Sequence, residues 1–445
     1  MKVKDLNAVS TEINYKNDKE GPLSNRTVAI KDNVLTKGVE TSGSSGILLG
    51  YIPVYDATIV SKLKDAGADL TVKTTLDELA LGGTGLTPVQ GETHNPYDLE
   101  RLSGGSSSGS AALIGARLVD FAIGTDTGDS IRKPASYCGV VGLKPTYGRI
   151  SRYGVIPYAS SLDHVGFFTQ NVKDAALMLG VLAGHDEKDH TSSTEPVESY
   201  TDLKGDLKGK TIGIIKNIYD AKKEDETKTR FNTLVDELKE QGASVKFIEM
   251  NQDLMNTLLP VYFIIANSEA TSNLANLDGV RFGQRVDGNN LDDLMCNSRT
   301  KGFGPLLKRR FVIGSYALED NHQEELFRKA QRVRRLIVED YTKAFDDVDV
   351  ILTLSSDGVA PKKKEFVTKN LTDSQVLAEN HLVLDNFSGF PSISIPLDHF
   401  DGLPYGINLA ALPFREKELL DIAYGFEKLI NFDEKDKEVN PWRTK

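Results

Sequence analysis

The chain has 445 residues, 39% apolar and 26% charged, with a formal net charge of −11. That length can bury one large core or two ordinary ones, and the composition is that of a globular protein. The charge excludes a chain whose own surface grips a phosphate backbone, and two cysteines make neither a disulfide framework nor a metal-binding cluster.

Cys138 and Cys296 are accordingly expected as reduced core thiols. The first 22 residues carry acids and no apolar h-region, so neither a secretory nor a transit segment is expected there. No apolar run approaches the ~20 residues of a membrane helix. Residues 27–34, TVAIKDNV, read as a short β-branched strand ending in Lys31 and two turn-formers. A lysine in that place usually snorkels to solvent. Residues 56–81 alternate helix, Gly67, strand (68–73) and more helix, which is α/β patterning.

Residues 101–148 organise the rest of the chain. Two small-residue loops, 104–110 and 124–130, flank an apolar segment of helix-then-strand character. Glycines let backbone approach a ligand and leave N–H groups free to donate, and serines beside such groups are candidate nucleophiles with an oxyanion hole. Gly/Ser runs also commonly mark linkers, although a linker is not spliced tightly into apolar segments on both sides.

Beyond Gly148, residues 165–168 read as a strand and 172–183 as an amphipathic helix. Residues 185–209 are polar and aperiodic, a candidate surface excursion. A strand (211–215), a helix (224–241) closed by Gly242, and a second strand (243–248) follow. A long charged helix covers about 322–345, then a buried strand 348–354. The C-terminal third carries apolar segments 392–396 and 405–412 and a helix 416–429. With no repeat and no clean boundary, the expected fold is a single large α/β domain over residues 1–445. Its core is a mixed β-sheet with helices on both faces.

Several chemistries drop out. None of the seven histidines sits in an HExxH motif, and no phosphate-binding G-x-x-x-x-G-K-[ST] loop is present. His185 and His190 have a spacing zinc could use, but no cysteine lies near them and solvent exposure is expected. A formal G-x-S-x-G match at 105–109, centred on Ser107, lacks the preceding buried strand of a nucleophile elbow. A serine nucleophile here would therefore lack a histidine base. The remaining base able to activate it is a lysine kept neutral by desolvation, and Lys31 is the available candidate.

Lys31 in AIKDN, GGSSSGS at 104–110 and DTGDSIRKPASYCGVVGLKPTYG at 126–148 resemble the amidase signature enzymes, which use a Ser–cisSer–Lys triad. The resemblance implies Ser130 as nucleophile, Ser106 as the bridging serine in a cis peptide, and Lys31 as base. It implies an oxyanion hole from the amides of Thr127, Gly128, Asp129 and Ser130, and no metal. Segments 101–105, 147–166, 268–283 and 302–318 are similar to the glutaminase-type A subunits of tRNA-dependent amidotransferases. That likeness implies glutamine as substrate and ammonia passed on to glutamate misacylated on tRNA(Gln).

By the same likeness this chain needs no cofactor of its own. ATP and Mg are used through a tRNA-binding B-type partner, tRNA is reached only through the complex, and a small C-type or replacement subunit is a further partner. No membrane insertion is implied, and the expected location is the cytoplasm, or the mitochondrial matrix for a eukaryotic source. Arg310, in KRRF, is implied to hold the glutamine carboxylate, and Glu379, where Asp would be expected, its ammonium. Departures are Asp129 in place of glycine, Phe282 in place of Tyr, and residues 319–327 in place of a small, tyrosine-rich segment. The chain also starts late relative to typical bacterial members, which implies that their N-terminal helices are absent. A free-standing amidase on a small amide and a non-catalytic paralogue stay open as alternative readings.

Overall fold

The computed structural model of the protein describes residues 2–366 and 373–443. Its strands are β1 (Val9–Tyr15), β2 (Thr27–Lys31), β3 (Asp69–Thr74), β4 (Phe121–Asp126), β5 (Val141–Lys144), β6 (His164–Thr169), β7 (Thr211–Ile215), β8 (Ser244–Ile248), β9 (Val350–Leu354), β10 (Ser392–Phe400) and β11 (Leu403–Ala410). They form one eleven-stranded sheet in the order β1-β3-β2-β4-β6-β5-β10-β11-β9-β7-β8. Parallel pairs, β3-β2-β4 and β9-β7-β8, lie toward the two ends, and the strands between them are antiparallel. The sheet is therefore mixed, as the alternating pattern implied.

Strand periodicity sorts the core. Side chains alternate faces along a strand, so Val28 and Ile30 of β2 and Phe121 and Ile123 of β4 enter the largest apolar cluster. That cluster is roofed by the helices Val172–Leu182 and Glu416–Ile430. Ala29 and Ala122 point the other way, onto the wholly buried helix Ser108–Gly115 with its Ala111 and Ala112. A further cluster seats the helices Leu258–Asn273 and Lys329–Lys343. Lys31 lies two residues beyond Ala29, on the face covered by the Ser108–Gly115 helix.

The structure departs from the sequence expectations in four places. The helix expected up to residue 81 is only a 3₁₀ turn, Glu78–Ala80, with Leu79 and Ala80 at φ 49° and 66°. Its N–H groups go to tertiary partners: Asp77 N to Ser106 O at 3.1 Å and Leu79 N to Gly43 O at 2.9 Å. Cys138 is buried as expected, but Cys296 is exposed, on the outer side of the helix Leu291–Gly302. The excursion 185–209 exposes His185 and His190 yet buries Tyr200 and Leu207 against the main core. Edge strand β1 was not anticipated. Among the described residues, no helix is long and apolar enough to cross a membrane, and no group of His, Cys, Asp and Glu side chains could hold a metal.

Candidate active site

Lys31, fully buried, ends β2 with its ammonium nitrogen inside a cage of hydroxyls. Nζ lies 2.8 Å from Ser106 Oγ, Ser107 Oγ and Thr125 Oγ1 alike. Burial pushes its pKa down to about 7, against the opposing pull of the Asp77, Asp126 and Asp163 carboxylates. None of the three makes an ion pair with it within 4 Å. A desolvated amine without a counter-ion is neutral over part of the physiological range, and so can accept a proton.

Ser106 stands just ahead of the Ser108–Gly115 helix, and the Gly105–Ser106 peptide bond is cis. The close neighbour there is Asp77. A Cβ on Gly105 would stand 2.0 Å from Asp77 Oδ2, so only glycine fits. Asp77 in turn accepts hydrogen bonds from Thr84 N at 2.9 Å, from Gly85 N, and from Thr87 Oγ1 at 2.9 Å. One carboxylate thus pins the 83–87 loop beside the serine loop.

The second loop of the 101–148 segment, between β4 and the short helix Arg132–Tyr137, presents Ser130, only 4% exposed. The carbonyls from Gly128 to Ser130 are engaged: Gly128 O by Arg132 Nη2 at 2.8 Å, Asp129 O by Lys133 N at 3.0 Å, Ser130 O by Ser107 N at 3.3 Å. Among the described residues, the N–H groups of Gly128, Asp129 and Ser130 have no protein acceptor. Adjacent amides left bare while the carbonyls are tied down form a concavity for an anion. Ser130 Oγ has no hydrogen-bond partner among the described residues, so Lys31 and Ser106 are brought together and the link from Ser106 to Ser130 is open.

Arg132 fixes this loop to the rest of the fold. Wholly buried, its guanidinium binds Asp126 through Nε (3.1 Å) and Nη2 (3.0 Å) and Asp385 through Nη1 (2.7 Å), and also bonds Asn386 Oδ1. Burial raises the Asp126 carboxyl, but the guanidinium beside it outweighs that and holds it well below the usual carboxylate range. Replacing Arg132 by Met leaves two buried carboxylates without their cation. We expect a loss of about 3–5 kcal/mol in urea-unfolding stability. Arg132→Lys should recover only part of it, because a point charge cannot reproduce the fork.

A cavity of about 310 Å³ opens over Gly128 and Asp129. Arg310, in the helix Pro305–Leu318, lies in one wall, 5.1 Å over the Phe263 ring, and donates to Tyr158 Oη and Asn267 Oδ1 at 3.3 Å. Among the described residues no carboxylate lies within 4 Å of it, and its buried Nε has no partner. Glu379 and Asp129 line the same cavity, and Lys133 bridges their carboxylates, 2.7 Å from Asp129 Oδ2 and 3.6 Å from Glu379 Oε2. Phe282 packs on Tyr51, at 5.5 Å between ring centroids, and does not line this space.

The amidase family profile matches residues 4–420. The chain belongs to the amidase family. This amidase is 44% identical over 412 residues to the glutamyl-tRNA(Gln) amidotransferase A subunit of Geobacter metallireducens, covering 92% of this chain and 84% of that protein. It is 42% identical over 414 residues to the Sulfurihydrogenibium protein of the same name, covering 93% and 84%. The crystal structure of the glutamyl-tRNA(Gln) amidotransferase A subunit from Thermotoga maritima has a TM-score of 0.81 at 35% identity, covering 96% of this chain and 88% of that one. The peptide amidase of Stenotrophomonas maltophilia gives 0.77 at 28%, covering 93% and 84%.

Sequence reasoning passed over several residues that shape this amidase's site. Ser107 was weighed only as a nucleophile, whereas its hydroxyl sits against Lys31 and donates to Thr125 O at 3.1 Å. Thr125, Lys133 and Tyr262, whose ring lines the cavity against Gly128, were not singled out. Lys133 had a readable signal, because it stands four residues after Asp129 and would meet it on one face of a helical turn.

Proposed function

We propose that this amidase is the glutamine-hydrolysing subunit of glutamyl-tRNA(Gln) amidotransferase. The observation that carries the reading is the charge layout of the cavity. An arginine without a carboxylate partner and Glu379, whose carboxylate lies 3.6 Å from Lys133 Nζ, line one space of about 310 Å³ that opens over the bare amides of Gly128 and Asp129. Free glutamine is a zwitterion whose side-chain amide must reach the nucleophile while its carboxylate and ammonium are held apart. Arg310 would take the carboxylate and Glu379 the ammonium.

In this reading neutral Lys31 withdraws a proton from Ser106 while Ser106 withdraws one from Ser130. Ser130 Oγ attacks the amide carbon, and the oxyanion gathers onto the N–H groups of the 127–130 loop. The amide nitrogen takes a proton back from Ser106, the C–N bond breaks, and ammonia leaves. Water then cleaves the Ser130 ester to glutamate, with the proton returned along the same path. The Ser106–Ser130 contact, open in the free site, would close with substrate, as catalytic hydrogen bonds often do. Ammonia would be consumed at a tRNA-binding B-type partner, where ATP and Mg activate the γ-carboxyl of glutamate on tRNA(Gln). A small C-type or replacement subunit would complete the assembly.

Arg310→Ala should raise the KM for glutamine by about 30-fold or more, the scale of losing one partner of a desolvated pair, with kcat changed much less. Steady-state glutaminase kinetics check this, and an unchanged KM would shift the carboxylate role to Arg309. The subunit reading is tested by glutamine turnover of the isolated chain, then with its partner, then with partner, misacylated tRNA and ATP. Stepwise activation is expected. Full turnover by the isolated chain would favour a free-standing amidase, a reading to which the likeness with the peptide amidase lends some support.

A further inference from the structure

Asp129 poses a physical problem for the reading above, on which this inference rests. Its backbone N–H belongs to the loop proposed to hold an oxyanion, and its side chain would bring a second negative charge to the same place. Like charges in a dry site raise the barrier. The structure shows where that carboxylate goes. Asp129 Oδ2 lies 2.7 Å from Lys133 Nζ, one helical turn on, and Lys133 N donates to Asp129 O at 3.0 Å. Lys133 is held at its far end as well, donating to Glu379 O at 2.7 Å with Glu379 Oε2 3.6 Å away. Its side chain is only 11% exposed, and that of Asp129 20%. Burial alone would lower the lysine's pKa, but the two carboxylates overcome this and keep it charged.

We propose that Lys133 is a positioning residue which clamps the Asp129 carboxylate away from the oxyanion loop, so that Asp129 and Lys133 work as one unit. The clamp acts on both ends of Asp129, its carbonyl through the Lys133 N–H and its carboxylate through the ammonium. Asp129 lines the cavity, and among the described residues its N–H has no acceptor while its carbonyl and carboxylate are both engaged. Glycine would need no such partner, because it brings no charge. Aspartate at this position therefore carries a requirement for a cation at the position four residues later.

The test is a double-mutant cycle on glutamine hydrolysis, run on the chain in the assembly in which it purifies and below the melting temperature of each variant. Lys133→Met should lower kcat by about 100-fold, the scale of spoiling one oxyanion-hole donor. The rise in KM should be smaller than that. Adding Asp129→Gly to Lys133→Met should restore kcat to within about fivefold of wild type, a coupling expected only of residues acting together. If Lys133→Met melts below the assay temperature, Lys133→Gln replaces it under the same criteria. Wild-type kcat in the single variant, or no recovery in the double, would overturn the clamp. Ser130→Ala, assayed in parallel, separates the two ideas. If it stays active the nucleophile assignment fails; if it is dead while Lys133 and Asp129 behave independently, only the clamp fails.

Discussion

Ser130→Ala is expected to abolish glutamine hydrolysis, with kcat falling on the order of 10⁴-fold or more. The variant removes the oxygen that attacks while leaving the bare N–H groups of Gly128 and Asp129 in place. Ser106→Ala and Lys31→Ala should each fall almost as far, because the members of a proton relay act as a unit and their losses do not add. Ser106 has no substitute, since its hydroxyl alone is proposed to stand between Lys31 and the nucleophile. Stability should change little for Ser130→Ala, whose Oγ has no hydrogen-bond partner among the described residues. In the assembled complex, added ammonium should restore amidation of Glu-tRNA(Gln) by Ser130→Ala, which confines the lesion to ammonia release. Glutamine turnover by Ser130→Ala comparable to wild type would remove Ser130 from the mechanism.

The second large effect is with pH. Lys31 must be neutral to accept a proton, and burial sets its pKa at about 7. Below that value the amine is charged and the relay is blocked, so kcat/KM for glutamine should rise with pH through about 7 and level off above it. Well below that midpoint the fall should approach tenfold per pH unit. The sign is opposite to that of a carboxylic general acid, whose activity would be lost as pH rises through its pKa. Glutaminase assays across this range, read as kcat/KM, report the free enzyme's base. An acid limb centred at an ordinary carboxylate pKa would assign the base elsewhere.

How much of this was legible in the sequence follows from how local each feature is. Strands β2, β4 and β6 are short apolar runs with turn signals beside them, and the buried lysine at the end of β2 could be named as a base by eliminating histidine. Strand β1 was missed because it is a half-exposed edge whose residues, VSTEINY, carry no clear alternation. The turn at 78–80 was mistaken for helix because its backbone groups are satisfied by Gly43 and Ser106, which no local pattern announces. The Arg132 hub joins positions more than 250 residues apart in sequence, Asp385 and Asn386 among them, and only the folded sheet brings them together. Asp129 was read as a departure from glycine whose amide belongs to the implied oxyanion hole. The structure supplies the partner, Lys133, that i,i+4 spacing alone made available.

The central claim is that ammonia released at Ser130 by this amidase becomes the amide of Gln-tRNA(Gln). The most direct measurement supplies glutamine labelled at its amide nitrogen to the chain with its tRNA-binding partner, misacylated Glu-tRNA(Gln), ATP and Mg, and follows the label by mass spectrometry. The account predicts labelled Gln-tRNA(Gln) with the wild-type chain and none with Ser130→Ala. Labelled product at wild-type yield from Ser130→Ala, or label that appears only as free ammonia while Glu-tRNA(Gln) stays unamidated, would contradict it.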